Sequence, residues 1–419
     1  MSLSSLDHTT LSTAHATSPH LRRHALAYAL YTLAVSSRFT QAIWVIYLAA
    51  HGYSPFAIGL YEMTFHLAKF LAEAPTGVFA DLVGRRASLI VACVLSAVAE
   101  LLYLAPVPPV IFLSFVLSGT SFAFRGGADS AYLWSLAGPP GLAETAARYS
   151  KLFSRMFIVM LVGEAIGTSS GGFLSTIGAS VPFICQTLLT LAGIAPLLML
   201  PSRRMPREHR SSPLRHLGAG LRAVWRDPIL LELLLLSGLL AGVFATVSIY
   251  ASLFFHTLGF SLSAVGLIFG IAVVPSALYA AVAPRLVARL PRIWLLAGCV
   301  LAEALGLLAM ASQRQWIAVV GFLLLFYSMD SIVAPALSRY LNERAPEAQR
   351  ATVLSLDTGL FSAVMIVLFP LFGLGLTNIS FGAAYLWVLV ALIGGSGLIL
   401  GGGALLRRAR GRRDEQDMA

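Results

Sequence analysis

The sequence predicts an all-α integral membrane protein with twelve transmembrane helices in two pseudo-symmetric six-helix bundles. Three observations lead there. Of 419 residues, 58% are hydrophobic and only 11% charged, whereas soluble domains carry about 25% charged residues. Apolar runs of about 20 residues, enough to cross a hydrocarbon core of about 30 Å as a helix, recur along the chain between Pro, Gly or Arg clusters. The basic residues, finally, are placed one-sidedly between these runs.

Residues 1–24 are rich in Ser, Thr and His, lack the apolar core of a signal peptide, and are expected to form a disordered cytoplasmic tail. Six spans follow near 25–50, 56–80, 87–106, 110–136, 151–177 and 181–201, a first bundle over 25–201. A basic linker, 202–228, separates them from six more near 229–255, 264–284, 293–312, 316–338, 352–376 and 381–405, a second bundle over 229–406. Residues 407–419 are expected to be a cytoplasmic tail.

Basic residues accumulate in cytoplasmic loops. With the N-terminus inside, 24 of the 29 Lys and Arg fall on the inner side, Arg314 alone falls outside, and Arg38, Lys69, Arg125 and Arg155 lie within spans. Both termini are therefore expected in the cytoplasm, and the net charge of +10 needs no nucleic acid to explain it. The usage of 27 Arg to two Lys suits a GC-rich bacterial genome, so the expected location is the bacterial cytoplasmic (inner) membrane. Within the linker, Leu214 to Trp225 reads either as a basic amphipathic helix lying on anionic lipid or as a solvated connection.

Spans three and nine begin alike. RASLIVACVL from Arg86 and RIWLLAGCVL from Arg292 share the Arg, the Leu three residues on and the closing Cys-Val-Leu, as parallel six-span halves would. Cys93, Cys185 and Cys299 each fall inside an apolar run without metal-ligand spacing and read as packing residues.

The loop after span two reads GVFADLVGRR from Gly77 to Arg86. Gly77 is expected to let two helices approach closely, Asp81 to accept from a helix N-terminus or pair with Arg, and Arg85 and Arg86 to hold the loop inside. The segment resembles the GxxxDxxGR[RK] signature of the major facilitator superfamily, at the family's spacing and in its place between spans two and three. That resemblance covers essentially the whole chain. It implies that Gly77, Asp81, Gly84, Arg85 and Arg86 form a gating latch between the halves, made in one state of the cycle and broken in another. The corresponding loop of the second half, Pro284 to Arg292, keeps basic charge but lacks both Gly and Asp, so the latch is expected to be lopsided. In span five, Gly163, Gly167, Gly171 and Gly172 form a close-packing face. Their spacing resembles the GxxxGPxxGG motif of the superfamily's proton-coupled exporters, with Thr168 where that motif has Pro.

An ionised side chain at the bilayer centre costs about 2.5–3.5 kcal/mol, so charges within spans must face partners or water. Glu62, His66, Lys69 and Glu73, spaced by 4, 3 and 4, lie along one face of span two. Arg38, Arg125 and Glu164 reach nearly the depth of Lys69, and Asp129 follows Arg125 by one helical turn. Two readings stand side by side. The charges pair to hold the first half together, Arg125 with Asp129 and Lys69 with Glu62 or Glu73; or Arg38, Lys69, Arg125 and Glu164 line a water-filled cavity and exchange partners with substrate and protons. Lysine can give up a proton where Arg cannot, and histidine titrates near neutrality. In the second half, the resemblance implies that Asp330 in span ten faces the cavity, and Asp357 is expected to pair with Arg344 or Arg350; the resemblance puts spans three and nine on the outside of the bundle, so Glu100 of the first half and Glu303 of the second are expected in protonated or interfacial structural roles. A charged wall facing an apolar one suits an amphiphilic organic solute.

No Walker loop, HExxH or CxxC motif occurs. The expectation is no catalytic or metal site, no cofactor and no enzyme. The chain reads as a monomeric secondary active transporter that uses the proton gradient to export an amphiphilic small molecule or drug by antiport. The alternatives are proton-coupled symport of an organic anion, and a membrane receptor or scaffold that has kept a transporter fold.

Overall fold

The computed structural model describes residues 19–137, 143–202 and 213–417, and every regular element among them is helical. The first half of the chain contains α1 (Pro19–Ser36), α2 (Trp44–Ala50), α3 (Pro55–Leu82), α4 (Arg85–Leu102), α5 (Pro108–Ala137), α6 (Ala143–Ile177), α7 (Val181–Ala192) and α8 (Ile194–Leu198). The second contains α9 (Pro213–Arg226), α10 (Pro228–Thr257), α11 (Leu262–Arg289), α12 (Arg292–Ala311), α13 (Gln315–Val320), α14 (Asp330–Arg344), α15 (Arg350–Asn378) and α16 (Phe381–Asp417). Among the described residues, nine helical stretches are long and apolar enough to cross a membrane. They correspond to spans four to twelve. The charge-bearing spans one to three are the ones that fall short.

The residues form two compact units: residues up to Phe39, Leu71–Gly167 and Ser180–Arg207 in one; Thr40–Phe70, Thr168–Ala179 and Glu208–Ala419 in the other. Helices α3 and α6 each run through both.

In the first unit, α4 and α5 form a close hairpin. Its buried serines bond across it, Ser88 to the carbonyl of Phe124, Ser121 to Ala92 and Ser114 to Ala99. Polar side chains in a span need such internal partners because lipid offers none. Tyr28, Tyr31 and Leu197 pack with Leu89, Cys93 and Tyr132 of this hairpin. The second unit is built on α10, which packs against α2, α14, α15 and α16. Asp227 caps α10 by accepting from the backbone of Ile229 and Leu230, with Pro228 at the first helical position. The repeated segments keep their equivalence: Arg86 and Arg292 sit at the starts of α4 and α12, and Cys93 and Cys299 are both buried.

Several boundaries differ from the sequence expectation. Span one is broken over residues 37–43. There the side-chain oxygen of Gln186 on α7 accepts from the backbone of Phe39 at 2.8 Å, supplying a partner from outside the helix. Span ten is α13, a π turn over Gly321–Phe326, a 3-10 turn over Tyr327–Met329, and α14. At this break Ser328 donates to the carbonyl of Leu323 and Tyr279 to that of Leu324. α1 begins at Pro19, inside the expected N-terminal tail, and α16 continues to Asp417 through the expected C-terminal one; residues 1–18 lie outside those described. Within the linker, Pro213–Arg226 is helical, with Val224 buried and Leu221 and Trp225 exposed. Residues 203–212 lie outside those described.

Gly84, between α3 and α4, has φ +116° and ψ 149°, a region essentially restricted to glycine. Gly84→Ala is expected to cost about 1–3 kcal/mol, read as a lower thermal midpoint of the detergent-purified protein. An unchanged midpoint would contradict that backbone geometry.

Candidate functional site

In the first unit, the Arg125 Nε lies 3.7 Å from Asp129 Oδ2 one turn along α5. Asp129 Oδ1 also accepts from Tyr28 at 3.1 Å and Tyr31 at 3.2 Å, both on α1. A carboxylate with one cation and two phenol donors is well satisfied, so this cluster matches the pairing reading of these two residues. Arg38 stands exposed in the break after α1. The glycine face of α6 packs on that break: a Cβ at Gly167 would lie 2.3 Å from the Arg38 nitrogen, and one at Gly163 3.1 Å from the Leu33 carbonyl. Half-buried Glu164 sits between these two glycines in sequence. Glu73 is exposed on α3.

The loop from Gly77 to Arg86 behaves differently from its sequence reading at one position. A Cβ at Gly77 would meet nothing within 4 Å, so the expected close helix approach there is absent from this structure. Arg85 donates to the carbonyl of Ala131 and Arg86 to that of Leu200 at 2.8 Å. Burial holds the Arg85 guanidinium below its ordinary pKa, with Asp81 acting in the opposite direction. These arginines therefore tie the start of α4 to the ends of α5 and the span-six segment.

In the second unit, Glu62 and His66 are buried, 8% and 5% exposed, with His66 Nε2 4.0 Å from Glu62 Oε2. Phe361 and Phe369 of α15 flank the His66 ring at 5.5 and 5.7 Å between centroids. Lys69 Nζ lies over Phe361, 5.7 Å from its centroid. The four-residue row on α3 is thus graded: Glu62 and His66 buried, Lys69 half-buried, Glu73 exposed and in the other unit.

Two close seams lie within this unit. α3 meets α15 backbone to backbone, since a Cβ at Gly59 would fall 2.4 Å from the Phe369 carbonyl and one at Gly373 2.3 Å from the Pro55 carbonyl. Tyr250 on α10 donates to that same Pro55 carbonyl at 2.8 Å. The end of α6 meets α11, with a Cβ at Gly172 2.4 Å from the Leu262 carbonyl. Gly171 follows the same helix, its carbonyl accepting from Ser175.

A cavity of about 490 Å³ opens between α10, α14 and α15. Asp330, Asp357, Ser237, Phe244 and Phe361 line it, among small and aliphatic side chains. Asp330 lines this cavity, whose lining includes none of Arg38, Lys69, Arg125 and Glu164. Asp357 does not pair with Arg344, which instead meets the helix-capping Asp227, 2.5 Å between Nε and Oδ2. Asp357 faces the cavity, where Ser237 can bond to it. The sequence also gave no hint that buried Glu232 would hold Arg292 at 3.4 Å. Nor did it single out Phe361, which borders both the cavity and the His66–Lys69 group.

A bundle of lipid-length helices, a glycine-lined helix face and carboxylates on an apolar cavity define a membrane transporter architecture, and comparison with known proteins agrees. Residues 25–370 match the model of the Major Facilitator Superfamily, and the chain belongs to that family of transporters. An uncharacterized MFS-type transporter, YxaM of Bacillus subtilis (strain 168), is 22% identical over 362 residues, covering 84% of this chain and 88% of its own. Among solved structures, the nucleoside transporter NupG superposes with a TM-score of 0.75 at 13% identity, covering 92% of this chain and 99% of that one. A D-xylose-proton symporter gives 0.68 at 20% identity, covering 91% and 95%. At these identities the likeness concerns the fold.

Proposed function

We propose that the chain is a proton-coupled antiporter of the bacterial cytoplasmic membrane that exports an amphiphilic small molecule by alternating access, as a monomer with both termini cytoplasmic. The observation that carries this is the pairing of carboxylates with an aromatic and aliphatic cavity in the second unit, Asp330 and Asp357 beside Phe244 and Phe361. Such a lining accommodates an apolar body with a polar or cationic head, and carboxylates inside a span mark proton and substrate pathways. Glu164, Glu73 and Asp129 are the candidate proton carriers of the first half. No cofactor is needed when the gradient supplies the energy.

Cells overproducing the chain are expected to retain less of an amphiphilic dye such as ethidium, and to lose that difference when the proton gradient is collapsed. Equal retention with and without the gradient would contradict proton coupling. Proton-coupled uptake of an organic anion is the second reading. It is favoured by Arg38, Lys69 and Arg125 within the first six spans, and a D-xylose-proton symporter shares the fold.

A further inference from the structure

Glu303 on α12 is 1% exposed, and its Oε2 has no hydrogen-bond partner. It is therefore an interior residue and not an interfacial one. α12 packs against the π and 3-10 turns that lead directly into Asp330, a Cβ at Gly306, one turn after Glu303, standing 2.8 Å from the Phe326 Cβ, and Asp330 acts on Glu303 electrostatically. Among the described residues, neither acid has a Lys, Arg or His within ion-pair distance.

The elements packed around α12 bring no compensating charge. Residues 381–403 of α16 carry one titratable group, Tyr385; residues 315–329 carry Tyr327; and residues 262–284 of α11 carry Tyr279 before Arg285 and Arg289 at the helix end. On α12 itself, Cys299 lies one turn before Glu303 and interacts with it. Arg292 is engaged by Glu232 and sits eleven residues away, about 16 Å along the helix. α14 adds Arg339, Tyr340, Glu343 and Arg344 toward its far end, with Arg339 bound to Glu343 and Arg344 to Asp227. The other acid lining the cavity with Asp330 is Asp357. Two uncompensated carboxylates acting on each other in an apolar interior cannot both ionise cheaply.

Asp330 also follows directly on a π turn and a 3-10 turn, so it sits at a discontinuity in span ten. Interrupted helices satisfy their backbone only where protein or a water-filled cavity supports them, and π turns are enriched at functional sites. Here the cavity is the one that Asp330 lines.

We infer that Glu303 and Asp330 form a proton-sharing acid pair, a proton-binding site in the second half of the chain, with Asp330 exchanging the proton with the cavity and Glu303 holding it in the interior. A proton leaving the pair goes to cavity water as Asp330 ionises, and returns by the same route. As a step in transport, this rests on the proton-coupled reading above; the pair's existence does not.

The test is a pH titration of the purified protein in detergent, followed by infrared difference spectroscopy in the carboxylic-acid carbonyl region. At neutral pH, Glu303→Gln should lose one carboxylic acid's absorbance relative to wild type. Asp330→Asn, which keeps Glu303, should keep that absorbance but move its titration by at least about one pH unit. An unchanged spectrum in Glu303→Gln overturns the inference, and should that variant not fold, an unmoved titration in Asp330→Asn overturns it equally. Failure of proton-coupled transport would sink the function proposed above while leaving these spectra as they are, so the two failures are distinguishable.

Discussion

Gly59→Val and Gly373→Val, made singly, are each expected to slow transport by about 5- to 150-fold while inserted protein stays at wild-type levels. The two glycines form the seam of α3 with α15, where an added Cβ would stand 2.4 Å from the Phe369 carbonyl or 2.3 Å from the Pro55 carbonyl. Backbone atoms cannot rotate away as side chains do, so the seam must part. Overpacking of this kind costs about 1–3 kcal/mol, which as a shift between two conformations is about 5- to 150-fold. The Tyr250 bond to Pro55 would go with it. A cysteine introduced at Tyr53, next to the seam, in a background lacking the three native cysteines, should label faster in either variant. Wild-type transport together with wild-type labelling would contradict the seam's role.

Neutralising Glu164 or Lys69 is expected to abolish pH-driven transport and leave membrane insertion intact. Glu164 lies between Gly163 and Gly167, whose contacts with Leu33 and Arg38 pin that stretch of α6 to the end of α1. Its place is thus set by backbone packing, and Glu164→Gln changes the charge without disturbing what holds it. Lys69 rests over Phe361, one turn from His66 and in the same row as Glu62. Lys69→Met keeps the apolar stem and removes only the ammonium. Transport driven by a pH gradient is measured in everted vesicles, with insertion followed by immunoblot. Wild-type rates in both variants would remove these residues from the cycle.

Much of the architecture was legible because a span announces itself by apolar length, and because basic residues mark the loops. The discontinuities were not. The break at 37–43 contains neither Pro nor Gly, and the Gln186 that satisfies Phe39 is remote in sequence. The π turn in span ten likewise depends on the packing of α12, where a Cβ at Gly306 would stand 2.8 Å from the Phe326 Cβ. Spacing placed Glu62, His66, Lys69 and Glu73 on one face, correctly as a helix period, but period says nothing about depth, and burial falls along the row. Of the two partners expected for Asp357, Arg344 is taken by the helix cap Asp227, which is remote in sequence. Gly77 was read from its motif as a contact glycine, and this structure puts open space there. Glu303 looked structural because the family resemblance puts spans three and nine on the outside of the bundle; its burial on α12 against the span-ten turns was not legible from that placement.

The most direct measurement is proton flux in proteoliposomes holding the purified protein under an imposed pH gradient, screened with lipophilic cations, zwitterions and organic anions. The account predicts that an amphiphilic solute dissipates the gradient by moving against the protons. Movement with the protons, confined to anions, would contradict export and make Arg38, Lys69 and Arg125 the residues to examine as the substrate site.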